Sequence, residues 1–411
     1  MVAVAHILCS LIVLLLILGG CAPSQPPSPL QPLAGTELPG FYDDQERGTL
    51  LRAIRESLQY LESIGPDRPL ALGTGTVSSG RVAATLLFFQ DLLEKTLTPA
   101  GLDRAIKEHF TVYRAAQPGT GKQQHPVLVT GYYQPVYAGS LTRTPIYRYP
   151  LYRIPNNLAL QRLPGGEGRS IGRLEGDRLV PYWSRAEIEN RHRLDGQELV
   201  WLRDPLDVFF LHVQGSGLIR LPDGAVRGVR YALKNGRPYR SIGKYLVDTG
   251  RISLEEASLD TIRAYLAAHP DMIREVLQHN PSYIFFDWNR DHQARGSLNR
   301  ILTAGRSIAA DQSYLPGGGL AFLVSRQPVV RNGRIIYWKS LHRFVLIQDS
   351  GSAIRGPARV DLFWGTGSEA GLAAGRMKEV GELYLLLLKQ KPQPRVTSRR
   401  PNSAEQNTVD E

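Results

Sequence analysis

Asp361 is the residue whose setting most clearly suggests chemistry, because it interrupts the apolar run Val360-Asp361-Leu362-Phe363-Trp364. Alternation along a strand puts its side chain on the same face as Phe363. A carboxyl held against aromatic surface has its ionised form desolvated, so its pKa rises and it can carry a proton near neutrality. The same spacing also fits an Asp bonded to backbone at a strand end. Asp349, in Asp349-Ser350-Gly351, has turn chemistry in which a short side chain bonds the backbone, and reads as structural. His212-Val213-Gln214-Gly215-Ser216-Gly217 is a glycine-flanked exit whose backbone N–H groups could approach a ligand closely, although a tight turn explains it equally well. Lys234-Asn235-Gly236-Arg237-Pro238-Tyr239-Arg240-Ser241 opens on a hairpin-type Asn-Gly turn and is dense in groups that match sugar hydroxyls and acetamides.

Other chemistries lack their residues. No HExxH and no Cys/His cluster signals a metal, and no GxSxG elbow appears. Gly119-Thr120-Gly121-Lys122 imitates a phosphate loop, but Ala116 and Gln123 stand where glycine and Ser/Thr are required. No metal or cofactor is therefore expected. The 49 basic and 38 acidic residues give a net charge of +11. The basic residues are scattered, which argues against nucleic acid and for general affinity to an anionic envelope.

Positioning such a carboxyl needs a β-rich scaffold, and 40 glycines and 28 prolines suit one. Leu50, Leu51, Ile54, Leu58 and Leu61 recur at helical spacing, and a second helix is expected over residues 82–95. Val127-Leu128-Val129 predicts a strand entering Thr130-Gly131-Tyr132-Tyr133, and Val208-Phe209-Phe210-Leu211 predicts a buried strand. Ser253-Leu254-Glu255-Glu256 predicts a capping box opening a helix that ends before Pro270, with a short helix over 272–278. Strands are expected at 320–325, 335–338, 344–348, 360–364 and 383–388, with a helix at 369–378 among them.

The N-terminus speaks to compartment. Residues 7–20 are an apolar run too short to span a bilayer comfortably. The run ends in Leu18-Gly19-Gly20-Cys21, which resembles the bacterial lipobox, although residues 1–10 lack the usual Lys or Arg. On that reading residues 1–20 are a leader and Cys21 is lipidated; a plain signal peptide is the alternative. Cys9 and Cys21 are the only cysteines, so the body after the leader has no disulfide. Residues 21–40 read as a Pro-rich tether and 391–411 as a disordered tail.

Taken in order, several stretches resemble the membrane-bound lytic murein transglycosylase A family over roughly residues 131–388. They are Thr130-Gly131-Tyr132-Tyr133-Gln134-Pro135, Tyr149-Pro150-Leu151-Tyr152, the Phe209–Gly217 and Tyr239–Gly243 stretches, Asn280-Pro281-Ser282-Tyr283-Ile284-Phe285-Phe286, Leu302-Thr303-Ala304-Gly305-Arg306-Ser307-Ile308-Ala309, and 349–367. Two positions depart from the pattern: Gln134 where many relatives carry Glu, and His212 where Gln is usual. The resemblance implies a mainly β fold with helices, in which residues 41–135 plus 292–390 build a double-psi β-barrel. A smaller β-rich domain, 136–291, would be inserted, leaving a groove between the two. It implies that Asp361 is the single acid/base of a non-hydrolytic cleavage of peptidoglycan glycan strands at the β-1,4 bond after N-acetylmuramic acid. Loop chemistry and resemblance together mark Thr130, Gly131, Tyr132, Tyr133, Gln214, Gly215, Ser216, Gly217, Asn235, Tyr239, Arg240, Ser241 and Asp349 as contacts for the glycan. Further implied partners are the membrane, through Cys21 on the periplasmic face of the outer membrane, and cell-wall enzyme complexes. A non-catalytic glycan-binding lipoprotein and a hydrolytic muramidase are the competing readings, the latter needing a second carboxylate near the first.

Overall fold

The computed structural model describes residues 28–95, 98–116, 126–162, 169–255 and 257–390. Cys21, the leader, the 391–411 tail and Gly119-Thr120-Gly121-Lys122 lie outside the described residues. Six strands form the scaffold: β1 (Val127–Gln134), β2 (Ser307–Ala310), β3 (Leu320–Arg331), β4 (Arg334–Asp349), β5 (Arg359–Thr366) and β6 (Lys378–Leu388). They pair in the cycle β1-β5-β2-β4-β3-β6 and back to β1. The β1–β5 and β2–β4 pairs are parallel and the others antiparallel, giving a closed double-psi β-barrel. Closure leaves no edge among these six strands.

Val129, Ile308, Leu323, Val345, Ile347, Val360, Leu362 and Leu385 fill the barrel interior. With period-two alternation, Val360 and Leu362 inside mean that Asp361 and Phe363 point outward. A second apolar layer, with Phe41, Phe89, Phe322 and Phe344, packs the helices Arg47–Ile64, Ser79–Glu94 and Pro99–His109 against the barrel. The strand Phe110–Ala115 extends the sheet beyond β6, and Leu30–Leu33 pairs with it in turn. Leu30–Leu33 was expected within the tether; burial of Leu30 and Leu33 draws this apolar pair out of it and into the sheet.

A separate six-stranded sheet holds, in order, Ile284–Asn289, Val226–Lys234, Ser216–Arg220, Val136–Ser140, Glu198–Leu202 and Tyr149–Tyr152. The expected strand Val208-Phe209-Phe210-Leu211 is instead the core of a helix, Pro205–Gln214. Asp204 caps its start, accepting from Leu206 N–H at 2.8 Å, Pro205 opens its first turn, and Gly215 ends it at φ 75°. The helix is buried between two apolar clusters, so its sequence reads as a continuous apolar run. The helix expected from Ser253 starts later, at Leu259–Ala268, because Ser258 caps it by accepting from Thr261 N–H at 3.2 Å. The expected strands at 335–338 and 344–348 are one strand, β4, continued through Lys339 to Arg343. Among the described residues no helix is long and apolar enough to cross a membrane.

Arg306 is fully buried under the barrel's helical side. Its guanidinium donates from both Nη atoms to Asp43, at 2.6 and 2.8 Å, and also to Thr49 Oγ1 and the carbonyls of Phe344, Gln45 and Glu46. Asp43→Ala strands a buried cation and should lower unfolding stability by roughly 3–5 kcal/mol in urea titration, whereas Asp43→Leu combined with Arg306→Met should cost markedly less.

Candidate active site

The barrel ladder places the acidic residues. Ala309 on β2 is paired with Asp361 on β5 and, past a bulge, with Asp349 at the end of β4. Asp361 is paired in turn with Thr130 on β1. Directly paired residues share a face, so Asp349, Ala309, Asp361 and Thr130 form one row across four strands on the outside of the barrel. Two strand spacings separate the aspartate Cα atoms, roughly 10 Å. Only the methyl of Ala309 lies between them, so their carboxyls sense each other.

Asp361 Oδ1 is buried without a hydrogen-bond partner. Burial, partly offset by Arg359 and reinforced by the Asp349 charge, pushes its pKa up to about 6. Phe363, two residues on, packs against Tyr132 with ring centroids 5.2 Å apart. Burial, followed by the charges of Asp349 and Asp361, raises the Tyr132 phenol far above its usual range. That hydroxyl faces Asp349 without a well-formed hydrogen bond. Asp349 accepts from Ser297 N–H and Ser350 N–H, both at 2.8 Å, yet burial outweighs these bonds and raises its pKa. The turn chemistry read at Asp349 is therefore present, but it sits beside Asp361.

A third aspartate escaped sequence reading. Asp311 follows Ala309-Ala310 at the end of β2 and accepts from Ser313 N–H at 3.0 Å, Ser313 Oγ at 2.6 Å and Gly356 N–H at 2.8 Å. Burial works against these bonds but loses, and its pKa falls. It pins the loop after β4 over the row. Its position two residues beyond Ala309 was the available signal.

A cleft of about 740 Å³ runs between the barrel and the second sheet. Gln214, Gly215 and Tyr239 line one side, and Asp349, Ser350 and Gly351 the other. Gln214 Oε1 accepts from Tyr133 N–H at 3.1 Å, tying the helix end to β1. Arg230, Lys234, Arg237, Arg295 and Arg355 add positive charge to the lining, with exposed Tyr231 and Val213 as apolar surface. Asp361 lies behind this lining, next to Asp349. A cavity of about 630 Å³ within the inserted region, lined by Tyr149, Trp201 and Arg274, touches none of the aspartate row.

Several expected contacts have structural duties instead. Asn235 is buried, donating to Trp183 O and Pro281 O and accepting from Tyr283 N–H and Arg237 N–H, which leaves its amide nothing for a ligand. Ser241 caps the helix Ile242–Asp248 by accepting from Lys244 N–H at 3.2 Å. Arg240 is exposed, and its backbone N–H is held by Asn280. Gly131 gives room to Trp364, whose Nε1 would lie 2.7 Å from an added Cβ, and Gly217 gives room to Leu211. Ser216 is buried within its strand. Sequence reading also passed over Arg185, fully buried, which donates to His212 Nδ1 at 2.8 Å and lies over the Phe209 and Tyr283 rings. Burial first, then that guanidinium, keep His212 neutral.

A closed double-psi barrel with an outward, buried carboxyl beside a cleft shared with the second sheet is the arrangement of an enzyme that works by acid–base chemistry on an extended substrate. Comparison narrows the class. A family model described as the MltA specific insert domain matches residues 128–287, and one described as the 3D domain matches 306–387, which contain all three aspartates. The membrane-bound lytic murein transglycosylase A of Vibrio cholerae is 32% identical over 285 residues, covering 68% of this chain and 70% of that protein. The Escherichia coli K12 protein of the same name is 34% identical over 262 residues, or 63% of this chain and 65% of its own. The crystal structure of a membrane-bound lytic murein transglycosylase from Agrobacterium tumefaciens superposes with a TM-score of 0.71 at 30% identity, covering 87% of this chain and 97% of that one. E. coli MltA with bound chitohexaose gives 0.64 at 26% identity, over 88% and 95%. The chain belongs to the membrane-bound lytic murein transglycosylase A family.

The raised pKa carries a stability signature. Asp361 binds its proton more tightly folded than unfolded, so stability falls as pH rises from about 3.8 to about 6 and is flat above. Asp361→Asn should therefore be more stable than wild type at pH 7.5, by on the order of 2–3 kcal/mol. The gap should close below pH 4, as read by urea unfolding at both pH values.

Proposed function

We propose that this protein cleaves peptidoglycan glycan strands without water, with Asp361 as the one proton carrier. The observation that carries this reading is the orphaned, buried Oδ1 of Asp361 at a pKa of about 6, beside a cleft wide enough for sugar rings. The protonated carboxyl donates to the oxygen linking muramyl C1 to the next N-acetylglucosamine. The C1–O bond breaks through an oxocarbenium-like state, and the leaving sugar departs with a free 4-hydroxyl. The muramyl C6 oxygen then closes on C1, and its proton passes to the Asp361 carboxylate, restoring the acid. One residue serves twice, so the paired carboxylates of a hydrolase are not required. The cleft's task is to hold C6–OH near C1, since orientation of an intramolecular attack can replace much of the barrier.

Asp349 supports this role through its charge, and Tyr132 and Phe363 through desolvation. The cationic lining suits an anionic wall polymer. The setting read from Leu18-Gly19-Gly20-Cys21 is the periplasmic face of the envelope, with the lipid on Cys21 in the outer membrane. Double-psi barrel and insert are assigned to residues 41–135 plus 292–390 and to 136–291.

Asp361→Asn keeps shape but can neither give nor regain a proton. It should still pellet with sacculi and lose turnover by about 10²–10⁴-fold or more. Wild-type products should end in 1,6-anhydromuramic acid, lighter than a reducing end by one water in mass analysis. Reducing ends as the main product would make the enzyme a hydrolase, and near-normal turnover by the variant would place the acid elsewhere.

The anchor has its own test. Cys21→Ala should release the protein from the membrane fraction of cells, and unchanged fractionation would remove the lipid from the account.

A further inference from the structure

Strands β3 and β4 outrun the barrel. The β3 pairing with β6 stops at Val324, whereas its pairing with β4 continues to Arg331 opposite Arg334. Residues 326–340 are thus a two-stranded ribbon, closed by Asn332 and Gly333 at φ 51° and 69°. Both central residues in the left-handed region are the chemistry of a tight hairpin turn. At ~3.4 Å per residue its arms reach roughly 20 Å past the barrel.

The ribbon's composition is unlike the rest of the surface. Arg326, Arg331, Arg334 and Lys339 are exposed, and no Asp or Glu occurs from Arg326 to Arg343. Ile336 and Tyr337 are 57% and 52% exposed, and Trp338 beside them is half-buried. Aromatic rings and aliphatic side chains standing in the open among unopposed cations match a membrane interface.

Register gives the ribbon a direction. Gln31 is level with Arg114, Tyr384 and Phe322, and Leu33 with Val112, Leu386 and Leu320. The strand Leu30–Leu33 therefore has its N-terminal end toward the ribbon, so the chain enters the sheet from the ribbon's side. Asp349 lies at the other end of the 16-residue β4, up to ~50 Å away when extended.

We propose that this ribbon is a second membrane contact, entering tip first so that Ile336, Tyr337 and, on the opposite face, Trp338 reach the interface of a leaflet that carries anionic phospholipid. The contact holds the entering chain and the ribbon on one side and turns the cleft away from the bilayer. It is independent of the reaction assigned to Asp361.

The test uses the full-length protein and vesicles of phosphatidylcholine with or without one quarter phosphatidylglycerol, both brominated in the acyl chains. Tryptophan emission should be quenched in the anionic vesicles and at least several-fold less in the neutral ones. Trp338→Phe should abolish most of that quenching, and Arg331→Glu with Arg334→Glu should reduce it to the neutral level at unchanged melting temperature. Quenching equal in Trp338→Phe and wild type, or indifferent to lipid charge, overturns the proposal. So does a charge-reversed variant that keeps vesicle quenching and loses pelleting with sacculi, since the ribbon then reads the wall.

Discussion

Ala309 has Asp361 on one side and Asp349 on the other, and in a closed barrel neither neighbour can slip. A shift of one residue on β5 would turn Asp361 inward among Val129, Ile308 and Leu385 and push Val360 and Leu362 out. The interior apolar set thus locks the register, and the register sets the acid. Asp361's environment follows from that lock: an outward face where Phe363 and Tyr132 pack with Ala294 and Leu302. The carboxyl is neither in the core, where it could not be reached, nor in open water, where it would ionise. Tyr132 and Phe363, one strand apart on the same face, complete the dry side.

Three aspartates within the 3D-domain region, residues 306–387, show how environment divides one residue type into different states. Asp361 has no hydrogen bond at Oδ1, and burial raises its pKa most clearly. Asp349 takes two backbone N–H groups and is still raised, because burial outweighs both bonds. Asp311 takes three donors and is lowered, fixing a permanent anion that grips Gly356. Donor count and depth of burial order the series together, Asp311 having the most donors and the weakest burial. The one cation acting on Asp361, Arg359, lowers its pKa without overcoming burial.

What was legible in the sequence was what depends on local pattern. The shared face of Asp361 and Phe363 followed from alternation along their strand, and the helices at 47–64 and 79–94 from their spacing. Pairing was not legible: nothing in Asp349-Ser350-Gly351 says that its strand ends beside Ala309. The helix Pro205–Gln214 failed because the unbroken buried run from Val208 to His212 erases the helical period, although Asp204-Pro205 and Gly215 bracketed it. Asn235 failed for the opposite reason. A loop dense in hydrogen-bonding groups resembles a binding site until the backbone of Trp183, Pro281 and Tyr283 is seen to use those groups.

The same geometry bears on why one carboxylate is proposed rather than two. A hydrolase needs its second carboxylate free to hold a water or attack a carbon, with the pair set about 5–10 Å apart. The Asp349 Cα distance does not forbid that. Its bonding restricts one oxygen: Oδ1 is engaged by Ser297 and Ser350 N–H groups, and the Tyr132 hydroxyl faces the carboxyl. Using Oδ1 to activate a water would cost both backbone bonds in a buried site. Held in place, it does something else. A fixed negative charge close to Asp361 disfavours that residue's ionised form and stabilises positive charge developing on a sugar ring nearby. Both effects favour proton donation, and neither needs a water molecule. On the proposed reading the nucleophile comes from the substrate, and the muramyl C6 hydroxyl is the one already tethered to the reacting carbon's ring.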